Sequence, residues 1–158
     1  MRVYLPLTLL GLAALESSGS LTGAPLAAHA VTPLLRHEWD GADDEELEYA
    51  VLMAAAFDSL VLISELAAEP RRVVVVAEVD EAMVRVGDDE TAVEVLTDVS
   101  RARCQAVHVD DPSAGADVTV ALGMLAAARG GDGAALGAVS LIEHELLWFA
   151  TQEIPDLL

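Results

Sequence analysis

Four consecutive valines, Val73-Val74-Val75-Val76, constrain this chain more than any other feature. A strand points successive side chains to opposite faces, so an unbroken β-branched run needs cover on both sides. Pro70 stands just ahead of the run, and Arg71 to Val79 is expected to be a strand buried on both faces. Such a strand belongs near the middle of a sheet, with helices packed against it.

The rest of the chain supplies those helices and further strands. Residues 2 to 7, Arg-Val-Tyr-Leu-Pro-Leu, predict a first strand, with Pro6 held to its end or to an edge position. Thr8 can cap a short helix from Leu9 to Glu16, which Ser17-Ser18-Gly19-Ser20 ends. Residues 26 to 32 predict a second strand, and Pro33 then opens a short helical piece reaching Trp39. The longest helix is expected from Asp44 to Ala68, with Asp43 and Asp44 at its cap and first turn and Pro70 beyond its end. It is apolar nearly all round past Tyr49, so it is either deeply buried or packs on a second copy in a homodimer.

Further on, residues 83 to 87 and 92 to 97 predict two short strands joined by the turn Gly87-Asp88-Asp89-Glu90. Gln105 to Asp110 predicts another strand, and Asp111-Pro112 supplies an N-cap and first position for a helix to Ala128. Gly130-Gly131 ends that helix, a second helix is expected over residues 134 to 142, and Leu146 to Ile154 predicts the last strand. Strands and helices interleave with no repeat, linker or boundary, so residues 1 to 158 are expected to be a single α/β domain, a mixed sheet covered by helices. A ferredoxin-like α+β arrangement is the alternative.

Composition limits the chemistry. At 158 residues with 54% hydrophobic content the chain can bury a core, and only 4% is aromatic, so Val, Leu and Ala must build it. Every basic residue is arginine; with no lysine there is no Schiff base and no phosphate-loop lysine. The formal net charge of -19 repels nucleic acids and anionic membrane surfaces, and suits a basic protein partner or a cationic ligand. One cysteine, Cys104, forbids an internal disulfide and fits a reducing cytoplasm. Residues 1 to 15 imitate a signal peptide, but a single arginine, the interruption at Pro6 and the polar stretch Glu16 to Thr22 favour a strand followed by a helix.

Two end motifs, MRVYLPLT over residues 1 to 8 and ELLWFATQEIPDLL over residues 145 to 158, frame the chain, with Ala106-Val107-His108-Val109-Asp110-Asp111 between them. With these the whole chain resembles a family of short acidic actinobacterial proteins, a domain of unknown function. The resemblance implies a cytoplasmic bacterial protein from a GC-rich genome and transfers no catalytic residue. The chain departs from the family pattern at Val139-Ser140-Leu141-Ile142, where a polar, acidic turn precedes the tryptophan.

The residues offer one local constellation. His108 and Asp110 are two apart on a strand and share a face, and His144 lies between two glutamates. Together they have the composition of a site with two histidines and one carboxylate, so His108, Asp110 and His144 are the candidate metal ligands. Asp111 is already employed as a cap. Trp148 and Phe149 are adjacent, so on a strand one belongs to the core and the other meets a helix or a partner. Gly130-Gly131-Asp132-Gly133 follows a helix, so it is not a phosphate cradle. Two functions follow: an interaction or regulatory protein whose acidic surface engages a basic partner, or a small enzyme or metal-binding protein built on the His/Asp set.

Overall fold

In the computed structural model, which describes residues 1–131, 133 and 144–158, the valine run is strand β4 (Val73–Glu78). It lies between β1 (Arg2–Leu7) and β8 (Cys104–Val109), which both pair with it antiparallel. The remaining strands of the main sheet are β3 (Leu26–His29), β5 (Val84–Val86), β6 (Ala92–Val95) and β9 (Leu147–Ala150). The order across the seven strands is β5-β6-β3-β1-β4-β8-β9. A small second sheet joins β2 (Ser20–Leu21) to β7 (Val99–Ser100).

Pleating distributes the valines as expected. Val73, Val75 and Ala77 point to one face with Val3, Leu5, Val107 and Val109. There they meet Leu12 and Leu15 of α1 (Leu9–Ser18) and Ile154 of α5 (Ile154–Leu157). Val74 and Val76 point to the other face with Tyr4 and Ala106. Leu35 of α2 (Pro33–Glu38) and Leu47, Val51, Ala55 and Ala56 of α3 (Asp44–Leu66) close over them. Each valine buried this way contributes about 1.5 kcal/mol or more. A third cluster joins Leu60 of α3 to Val118, Ala121 and Leu125 of α4 (Gly115–Arg129).

The architecture is thus an α/β sandwich, but its strand directions differ from the mixed sheet expected from the interleaving. Among the described residues every pairing is antiparallel. The reason is an insertion: β3, α2, α3 and β4 form a crossover whose strands run the same way, and β1 sits between them, antiparallel to both. A parallel relation therefore exists without parallel neighbours.

Caps and turns explain the element bounds. Thr8 accepts from the Gly11 amide at the start of α1. Asp43 and Glu46 form a reciprocal capping box at the start of α3, and three acidic residues favour its first turn. That helix ends two residues early, because Ala67 takes a left-handed conformation with φ 50°. The strand expected over residues 26 to 32 stops at His29, since Thr32 accepts from the Leu35 amide and caps α2 instead. Asp111 caps a short turn ahead of α4, accepting from the Ser113 amide. The strand expected from Leu146 to Ile154 ends at Ala150, whose amide donates to Glu153 Oε2 in the following turn. The helix expected over residues 134 to 142, and the departure at 139 to 142, lie outside the described residues.

The stretch that imitates a signal peptide is β1 and α1, with Val3, Leu5, Leu12 and Leu15 all in the core. Among the described residues α3 is the one helix long and apolar enough to cross a membrane. It serves as a core helix, contributing to two of the three clusters.

Candidate functional site

Alternation along β1 puts Arg2 and Tyr4 on the α3 face of the sheet. The same alternation along β8 puts His108 there, two residues from Ala106. β9 pairs Trp148 directly with His108 across the antiparallel ladder. The first turns of α3 approach from above and bring Glu48 and Tyr49. These six side chains line an open groove of about 410 Å³. That volume lies within the range that holds small ligands.

The groove is electrically quiet. Arg2 Nη1 donates to both oxygens of Glu48 at 2.8 Å, which satisfies the carboxylate and cancels its charge. Burial, reinforced by the negative charge of Glu48, pushes the Tyr4 hydroxyl up to about 12, so it stays protonated. Burial also pushes His108 below its ordinary value, and the ring is neutral at physiological pH. Its Nδ1 is shut off from solvent and meets no hydrogen-bonding partner among the described residues. The upper wall is aromatic and open: Trp148 is 61% exposed and Tyr49 54%. Phe149, pointing the other way, packs against the core. This is the division of labour that adjacency on a strand implies.

The three candidate metal ligands occupy different surroundings. Asp110 is fully buried, and Arg72 donates to its two oxygens from Nε at 2.8 Å and Nη2 at 2.7 Å. The Arg72 amide donates to Asp110 as well, at 2.8 Å. The same Nη2 reaches the His144 carbonyl at 2.8 Å, so Arg72 ties Asp110 to the main chain ahead of β9. The His144 ring pairs with Asp117 of α4 at 2.6 Å. His108 lies in the groove. Among the described residues, no group of three His, Cys, Asp or Glu side chains stands close enough to hold a metal ion. Cys104 is buried; burial raises its thiol and the Arg101 charge only partly offsets this, which leaves it a core residue rather than a nucleophile.

One arrangement had no signal in the sequence. His29, buried on β3, bonds through Nδ1 to Thr91 Oγ1 and through Nε2 to Asp58 Oδ2 on α3, both at 2.9 Å. Residues 29, 58 and 91 lie far apart in the chain, so no spacing rule brings them together. Because it ties α3 to the β3–β6 pair, the trio is a clamp. Tyr4 and Trp148, by contrast, stand in the two end motifs, and strand alternation places them on one side of the sheet.

Fold and groove define an α/β architecture with an antiparallel sheet and a ligand-sized groove beneath its longest helix. The chain belongs to the family of unknown function DUF6912, whose model matches residues 1–158. No curated protein and no solved structure matches it.

Proposed function

We propose that the protein works by binding, as an interaction or regulatory protein, and that its working surface is the groove between α3 and the β1–β4–β8–β9 end of the sheet. The observation that carries this reading is the convergence of an exposed tryptophan with a half-buried histidine whose Nδ1 has no partner among the described residues. A buried polar atom left unmatched costs about 1–3 kcal/mol and calls for an explanation, and a ring held in place to present its other nitrogen to the groove supplies one. A shift-perturbation screen of aromatic fragments on the labelled protein tests the reading. Resonances of His108, Trp148 and Tyr49 should move together, and Trp148→Ala should abolish the response. Fragments that perturb only other surfaces would overturn it.

The net charge of -19 supports a second reading, engagement of a basic protein partner. Several carboxylates of the acidic segment already have internal partners: Asp43 and Glu46 cap α3, Asp44 pairs with Arg36, and Glu48 pairs with Arg2. A basic partner therefore has to engage carboxylates beyond that set. Salt-sensitive retention of a basic protein from native lysate supports it, and no retention at low or high salt removes it. A cytoplasmic location fits both readings, since the single thiol is buried and reduced.

A further inference from the structure

We propose that the groove takes an uncharged, planar aromatic ligand that carries a hydrogen-bond acceptor on its edge, stacking on Trp148 and accepting from His108. The inference rests on the groove being the working surface, and adds the chemistry of the occupant.

The argument begins with the proton on His108. On Nδ1 it would be a buried donor with nothing to receive it, so the neutral ring carries it on Nε2. The ring lines the groove, and the hydrogen bond it can offer there is a donated one. A carbonyl or aromatic ring nitrogen satisfies it.

Charge then selects among acceptors. Both charges of the groove are spent on each other, Arg2 against Glu48, through two bonds of 2.8 Å. Among the other walls, Tyr4 and His108 are held neutral by burial. An anion would find no free cation there and would face the field of a chain with net charge -19. A cation would be drawn by that field and by the faces of Trp148 and Tyr49, but would find no free carboxylate in the groove, since Arg2 already occupies Glu48. A neutral ligand pays neither cost, and a flat one uses the open aromatic wall. The shape also matches: exposed Trp148 stands directly opposite His108 in the ladder, so stacking and the hydrogen bond fall side by side.

A matched series separates these terms on the intact protein. Benzamide, benzoate, benzylammonium and toluene share one ring and differ in charge and acceptor. Binding is read from Trp148 fluorescence in a Trp39→Phe background and from the imidazole nitrogen shifts of His108. Benzamide should bind at least ten-fold more tightly than the other three. The His108 Nε2 signal should move as that of a donor when benzamide binds, and His108→Leu should lower the affinity for benzamide about ten-fold while leaving toluene unchanged. If none of the four perturbs Trp148 or His108, the groove reading itself falls. If toluene binds as well as benzamide, or benzylammonium binds best, the groove stands and this assignment of its occupant is overturned. Circular dichroism and an unfolding midpoint on His108→Leu confirm that a lost response is not a lost fold.

Discussion

Arg72 and Arg2 each lay a guanidinium against a carboxylate with two short bonds, yet the two pairs do different work. The Arg72 and Asp110 side chains are 4% and 0% exposed, while those of Arg2 and Glu48 are 47% and 40% exposed. Removing two charges from water is expensive, and Arg72 offsets that expense with geometry: two bonds to Asp110, a third from its own amide, and a fourth to the His144 carbonyl. The pair welds the start of β4 to the end of β8 and to the segment entering β9. Arg2 and Glu48 stay in water at the rim of a groove, where their pairing removes charge from the site and adds little to stability. Position relative to solvent, more than bond count, decides what an ion pair is for.

The sharpest way to break this contrast is at Asp110. Asp110→Ala leaves Arg72 buried and unpaired, and should cost about 3–5 kcal/mol in urea unfolding. A smaller loss would mean that water reaches the pair. Next in size is Ser59, on the buried face of α3, which donates to the Leu7 carbonyl at 2.6 Å and accepts from the Val73 amide at 2.9 Å. Ser59→Ala strands both groups and should cost about 1–3 kcal/mol, measured the same way.

The groove end should answer to pH rather than to truncation. The Tyr4 hydroxyl is raised from 10.0 to about 12 in the folded protein, so the unfolded chain releases that proton first. The stability this contributes is intact below pH 10 and declines as pH rises towards 12. Tyr4→Phe should flatten that decline, and in Tyr49→Phe protein the remaining phenolate absorbance should appear only near pH 12. The sign reverses at His108, whose folded value is lowered: its contribution is present above the ordinary value of 6.5 and is lost as pH falls below it. The smallest effect belongs to Glu48→Gln, expected to change stability by at most about 1 kcal/mol. A larger loss would place Arg2 and Glu48 with Arg72 and Asp110, and erase the contrast.

The sequence exposed the local rules better than the long-range ones. Val73 to Val76 declares a doubly covered strand, Thr8, Asp43 and Asp111 declare caps, and Trp148 beside Phe149 declares opposite faces, because each depends on neighbours in the chain. Strand direction did not show, since β1 enters between β3 and β4 from far upstream. The two-residue strands β2 and β7 are too short to carry a period. At the site, His108 was legible as a residue to watch, but its company was not. Asp110 and His144 look like its partners by spacing, and Arg72 and Asp117 take them instead. Glu48 and Tyr49 reach the groove from another element, which no local pattern reports.

The central position of β1 also sets a timetable. This strand pairs along its whole length with β4, so residues 2 to 7 wait for residues 73 to 78. At about 5–20 residues per second, a ribosome leaves the nascent strand without that partner for several seconds. A sheet whose middle strand is made well before its β4 partner is therefore more exposed to aggregation while being synthesised than one built from neighbouring hairpins.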